Sequence, residues 1–196
     1  MKILFLGYEK SSVLDFLRTQ GDVTSVSPMG EIPTGACDCL VSYGYRRIVP
    51  HTVLEQYPHS AVNLHISLLP WNKGADPNFW SWWDNTKKGV SIIGMTDKLD
   101  EGDIYAQKEV AFSDEETLTS SYWKLRTEIE RLFIESWPTL WTIPPQKQVG
   151  TGSNHRVSDL DTLKERLKAA SGVEIDWDTP VSSFHKLHEY DTKNRS

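Results

Sequence analysis

From residue 2 to residue 67 the chain alternates between short apolar runs and segments of helical spacing, and few folds accept that order. KILFLG (2–7) is a continuous apolar run closed by glycine, which is how a strand buried on both faces reads. In VLDFLRTQ, Val13, Leu14, Phe16 and Leu17 fall on one helical face. Ser11 or Ser12 can cap it and Gly21 ends it. DVTSVSP is β-branched and stopped by Pro28, and CDCLVSYG and AVNLHIS are further strand candidates. Between those last two, VPHTVLEQY predicts a short helix with Pro50 in its first turn. Strand–helix–strand alternation of this kind predicts a Rossmann-like, mostly parallel α/β sheet.

Beyond residue 67 the pattern changes. PNFWSWWDN reads as a helix opening at Pro77, with Trp80 and Trp83 on one packed stripe. GVSIIGMTD and DIYAQKEVAF read as two antiparallel strands around KLDEG. TLTSSYWKLRTEIERLFIESW is a long amphipathic helix capped by Asp114 or Thr117 and ended by Pro138. Residues 141–155 read as loop, DLDTLKERLKAA as a helix capped by Ser158 or Asp159, and HEYDTKNRS as a frayed polar end. The expected division is a core over 1–140 and a short extension over 141–196. Trp137 and Trp141 read as exposed side chains that would suit a homodimer.

Composition excludes several functions. The net charge is −6 and no Lys/Arg block exceeds two residues, which argues against a nucleic-acid surface. No run approaches membrane-spanning length, and MKILFLGYEK turns polar too soon for a signal peptide. Cys37 and Cys39 are too few for a zinc site or a disulfide framework, and no metal-ligand cluster is visible. A cytoplasmic protein is expected. The first strand runs into GYEKSS rather than G-x-G-x-x-G, which argues against a nicotinamide or flavin cofactor.

One strand stands out chemically. In VNLHIS, Asn63 and His65 are two apart, so they share a face, about 6–7 Å from each other along the strand. Open α/β sheets bind ligands at the carboxyl ends of their strands. An amide there can donate to a developing oxyanion, and an imidazole can move a proton near neutral pH. Further on, LDEGD brings Asp100 and Asp103 around a glycine turn, where a carboxylate could orient the imidazole.

Together, N-x-H-x-S-x-L-P-x-x-x-G followed by L-D-x-G-D resembles the folate-dependent formyltransferase family over residues 1 to about 140. The resemblance implies an Asn63–His65–Asp100 triad and N10-formyltetrahydrofolate as formyl donor, with no metal. It implies folate contacts from Tyr43, Tyr45, Arg46, Arg47, Ile48 and Val49, and from Met95, Asp97, Leu99 and Asp100. The acceptor loop it implies comprises Ser67, Leu68, Leu69, Pro70, Trp71, Asn72, Lys73 and Gly74. Many relatives read G-V-(S/T)-I-H where this chain places Ile93, which puts neighbouring substrate contacts in question and leaves the triad intact.

The acceptor is expected to be a primary amine. PNFWSWWDNTKKGVSI, the TL-x-x-S-Y-x-x-L helix and GTGSNHRVSDL look most like sugar-nucleotide N-formyltransferases and the formylation domains of nonribosomal peptide synthetases. A nucleotide-linked amino sugar is therefore the first expectation. Alternatives are a carrier-bound aminoacyl group, a glycinamide ribonucleotide-like amine, or a folate-binding relative without activity. Methionyl-tRNA is disfavoured by the acidic balance. Trp71 is the better ligand candidate among the tryptophans, and Lys73 can meet a phosphate.

Overall fold

A computed structural model describes residues 1–35 and 37–193. In chain order its elements are β1 (Lys2–Gly7), α1 (Ser12–Gln20), β2 (Asp22–Val26), β3 (Cys39–Tyr43), α2 (His51–Leu54), β4 (Ala61–His65), β5 (Lys73–Gly74) and α3 (Pro77–Trp83). Then follow β6 (Gly89–Gly94), β7 (Ile104–Glu109), α4 (Leu118–Ser136), β8 (Asn154–His155), α5 (Val157–Ser171) and α6 (Phe184–Lys193). Among the described residues no helix is long and apolar enough to cross a membrane. The chain divides into two compact units.

The first unit comprises Met1–His65, Ser91–Lys108 and Glu128–Gln148. Its sheet has the order β2-β1-β3-β4-β6-β7, with β1 to β4 parallel and β6 antiparallel to β4. The turn after β6 is closed by Gly94 N–H donating to the Asp103 carbonyl at 2.9 Å. β1, β3 and β4 carry the core because Ile3, Leu4, Phe5, Leu6, Leu40, Val41 and Val62 are almost fully enclosed, the burial expected of central parallel strands. Ser11 caps α1 by accepting from Leu14 N–H. After β1, where dinucleotide folds place a glycine loop, the Tyr8 ring packs edge-on against Tyr43 at 4.9 Å.

The second unit comprises Ile66–Val90, Glu109–Thr127 and Val149–Ser196. Its core joins Phe79, Trp80, Trp83 and Leu118 to Leu163, Leu167, Ile175 and Phe184. The α3 aromatics are therefore packing residues, as their helical spacing predicts. α4 is capped by Thr117, whose Oγ1 accepts from Ser120 N–H.

Several expectations need correcting. Residues 141–155 are more than loop, because Gln146 bridges to Ile104 and Asn154–His155 form β8 beside β5. α5 is capped at Arg156, whose N–H donates to the Asp159 carboxylate at the third helical position, so neither Ser158 nor Asp159 is the cap residue. HEYDTK belongs to α6, where Arg166 grips the buried Asp191 carboxylate with two hydrogen bonds at 2.7 and 2.9 Å. Asn194, Arg195 and Ser196 of the expected frayed end lie outside the described residues. Trp137 is buried against Phe16, Phe133 and Trp141, which removes it as an exposed dimer contact. Cys37 precedes β3 instead of sharing the strand with Cys39.

Candidate active site

β4 pairs with β3 through Ser42↔Asn63 and with β6 through His65↔Ser91, so its last three residues are fixed from both sides. The pleat turns Asn63 and His65 to one face, and the turn after β6 lays Asp100 across them. Asn63 Nδ2 donates to Asp100 Oδ1 at 3.1 Å, and His65 Nδ1 stands 3.5 Å from Asp100 Oδ2. The His65 and Asp100 side chains are only 8% and 5% exposed. The low surrounding dielectric strengthens the attraction between an imidazolium and this carboxylate. Asp103, the other carboxylate of LDEGD, is exposed.

Asp100 reaches this position through a left-handed backbone, φ 54°. The turn has no slack behind it: a Cβ on Gly102 would lie 1.7 Å from the Gly94 carbonyl oxygen. Gln148 seals it. Its Nε2 donates to the carbonyls of Asp100 at 2.8 Å and Gly102 at 2.9 Å. Sequence reasoning missed this residue, because nothing in IPPQKQVG marks a side chain that meets a turn so distant in the chain.

The two segments expected to contact folate meet in the first unit. His51 Nδ1 is 2.6 Å from Asp97 Oδ1, and Met95 and Tyr45 pack on the cluster that holds Val49. Within them the side chains divide. Tyr43 is buried and its hydroxyl donates to Glu130 at 2.8 Å, while Tyr45 donates to the Gly30 carbonyl. Arg46 and Arg47 are exposed, and Ile48 and Leu99 leave 87% and 63% of their surface open. Exposed apolar residues on facing loops are what a flat heterocycle would cover.

In the second unit the expected acceptor loop is a built structure. Ser67 Oγ donates to the Trp71 carbonyl at 2.8 Å. Asn72 is fully buried: its N–H donates to Ser153 Oγ, its Oδ1 accepts from that hydroxyl, and its Nδ2 donates to Thr86 Oγ1. Gly74 has φ 82°, and a Cβ there would meet the His155 carbonyl oxygen at 2.3 Å, so β5–β8 pairing requires glycine. Leu69 is buried, Leu68, Pro70 and Lys73 are half-buried, and Trp71 is 42% exposed. Behind the loop, His155 stacks on Trp80 at 4.0 Å, with Nε2 3.2 Å from Asp84 Oδ2. That contact is within ion-pair distance but poorly aligned as a hydrogen bond.

Among the described residues no group of three or more His, Cys, Asp or Glu side chains is placed to hold a metal ion. Burial pushes the Cys39 thiol up to about 12, helped by Asp38 and Cys37. It is a core residue and no nucleophile.

Residues 29–136 match the family model described as formyl transferase, with Asn63, His65 and Asp100 inside the match and Gln148 beyond it. The chain belongs to the formyl transferase family. A solved structure of the formyltransferase PseJ from Anoxybacillus kamchatkensis, in complex with UDP-4,6-dideoxy-4-formamido-L-AltNAc and tetrahydrofolate, is 37% identical. It superposes with a TM-score of 0.82 over 94% of this chain and 97% of that one. A sugar N-formyltransferase from a Shewanella species shares the fold at 16% identity, with a TM-score of 0.74 over 96% of this chain and 86% of its own. Among curated proteins, the methionyl-tRNA formyltransferase of Listeria innocua is 34% identical over 113 residues, 57% of this chain. The match spans 36% of that relative's length.

Proposed function

We propose that this chain transfers the formyl group of N10-formyltetrahydrofolate to the primary amine of a nucleotide-linked amino sugar. The observation that carries the reading is the Asp100 carboxylate held against both Asn63 and His65 in a buried corner of a formyl transferase sheet. The PseJ structure, with its formamido sugar nucleotide and tetrahydrofolate, supports the substrate class.

The chemistry follows from the residue types. The amine nitrogen attacks the formyl carbon, a C–N bond forms, and negative charge gathers on the formyl oxygen. Asn63 spends one amide N–H on Asp100, and its second N–H serves that oxygen. Asp100 faces Nδ1 of His65, which fixes the proton there and directs Nε2 at the reacting centre. Protonated, His65 stabilises the oxyanion; neutral, it takes the proton that the amine must lose. The bond from the formyl carbon to N10 then breaks, and N10 leaves as a secondary amine once protonated. Ile48, Leu99, Met95 and Val49 would take the donor's ring, and Trp71 and Lys73 the sugar nucleotide. In this reading residues 1–140 carry the transfer, with 141–196 as an extension that shapes both sites, in a cytoplasmic enzyme.

The test follows tetrahydrofolate release from N10-formyltetrahydrofolate with a panel of UDP-, dTDP- and GDP-linked amino sugars, with His65→Ala as control. Turnover with one of them, lost in the control, is the expected result. Turnover only with carrier-bound aminoacyl groups, glycinamide ribonucleotide or methionyl-tRNA replaces the acceptor. Folate binding without turnover on any amine leaves a binding protein.

A further inference from the structure

Gln148 holds the carboxylate-bearing turn by its backbone, taking two of its carbonyls at once from a distant part of the chain. The Ile104↔Gln146 bridge, with both N–H···O contacts made at 2.7 and 2.8 Å, fixes the strand-like segment that delivers it. Both acceptors are carbonyl oxygens, so the amide orientation is settled by chemistry: the NH2 end must face Asp100 and Gly102. That choice leaves Oε1 buried with no hydrogen-bond partner. A methionine of the same length would leave the Asp100 and Gly102 carbonyls without these two donors.

We propose that Gln148 is a positioning residue for formyl transfer: its two N–H bonds hold the Asp100 turn in the conformation that presents the carboxylate to His65 and Asn63. The inference rests on the formyl-transfer reading. Asn63 and His65 meet the Asp100 side chain, whereas Gln148 grips the backbone of the turn that carries it. Gly102 is already pressed onto β6, and the Glu101 N–H to Lys98 carbonyl contact is long, at 3.4 Å. Without Gln148 the Asp100 backbone relaxes from φ 54° toward the commoner right-handed region, which swings the carboxylate away from β4.

The test compares wild type, Gln148→Met, Asp100→Asn and the double variant, with kcat and KM for both substrates. Gln148→Met lowers kcat by roughly 10- to 100-fold, the scale of a displaced catalytic group. KM for the amine stays within about 2-fold, and the double variant matches Asp100→Asn alone, as residues of one unit do. Gln148→Glu keeps the shape but sets an oxygen against both carbonyls, so it loses at least as much and decides the matter should Gln148→Met fail to fold. A loss that multiplies with Asp100→Asn, or full kcat in Gln148→Met, overturns the proposal. Histidine-labelled NMR spectra separate it from the functional reading. The His65 ring resonances must move in Gln148→Met as they do in Asp100→Asn, whether or not any amine is formylated. Should wild type formylate nothing, the functional reading falls, and unmoved His65 resonances would sink the positioning claim by themselves.

Discussion

The Asp100 carboxylate stands 3.5 Å from His65 Nδ1 through one oxygen and accepts from Asn63 through the other, so one acidic residue meets both side chains proposed to carry the transfer. Asp100→Asn preserves the shape and removes the charge. An amide in that place can present its N–H to His65 and reverse the tautomer. Asn63→Ala removes the proposed oxyanion donor and is expected to cost about 10²–10³ in kcat. His65→Ala is expected to cost at least as much. The paired variants should lose far less than the product of the single losses, because the three act as a unit. Steady-state rates of tetrahydrofolate release check this, and multiplicative losses would show that they act separately.

Gly102→Ala tests the turn from the other side. The added methyl would sit 1.7 Å from a backbone carbonyl, so either the β6–β7 turn shifts or the variant loses stability. Overpacking of this kind costs about 1–3 kcal/mol. At roughly 2–4 °C per kcal/mol for a domain of this size, Tm should fall by several degrees. Activity measured well below Tm should fall further than that loss explains, because Asp100 rides on the same turn. Unchanged kcat with lowered Tm would separate the turn from the chemistry.

The His51–Asp97 contact makes a pH prediction. The hydrogen bond to Asp97 holds the His51 imidazole above its ordinary value, aided by the charges of Asp97 and Glu55. A histidine raised in the folded state stabilises most below its unfolded value, about 6.5, and the contribution disappears as pH climbs through the raised folded value. The pair is exposed, so the effect is small and screened by salt. In low salt, wild type should be more stable relative to His51→Ala at pH 6 than at pH 8.5. An equal difference in Tm at both would show that the contact contributes nothing through charge.

How much of this was legible depends on distance along the chain. Apolar runs found β1, β3 and β4, and helical spacing the packed stripe of Trp80 and Trp83, because burial acts on neighbouring residues, while β2 showed through its β-branched residues. The i, i+2 placement of Asn63 and His65 follows from strand geometry alone. Gln148 was invisible for the opposite reason: its partners are backbone carbonyls, which carry no side-chain signature. β5 and β8, two residues each, are too short to show a period, and they exist because Gly74 lets two segments touch. Trp137 read as exposed because a helix end near Pro138 looks terminal, yet Phe16, Phe133 and Trp141 enclose it.

Ser153→Ala and Trp71→Ala should separate the scaffold of the proposed acceptor loop from its exposed surface. Ser153 Oγ accepts from Asn72 N–H at 2.9 Å and donates to Asn72 Oδ1 at 3.2 Å, and Asn72 is fully buried with φ 57°. Removing the hydroxyl leaves two polar atoms of a buried residue without that partner, a loss of about 1–3 kcal/mol. Tm should drop, and KM for the amine should rise because Pro70 to Gly74 loosen together. Trp71 is exposed on the same loop, so replacing it should leave Tm nearly unchanged. If its ring covers the sugar nucleotide, KM for the acceptor rises by roughly 5- to 100-fold, on the scale of one stacked base. KM for the formyl donor should not move in either variant. Thermal unfolding alongside steady-state kinetics decides between these outcomes. An acceptor KM unaffected by both replacements would move the amine site away from this loop.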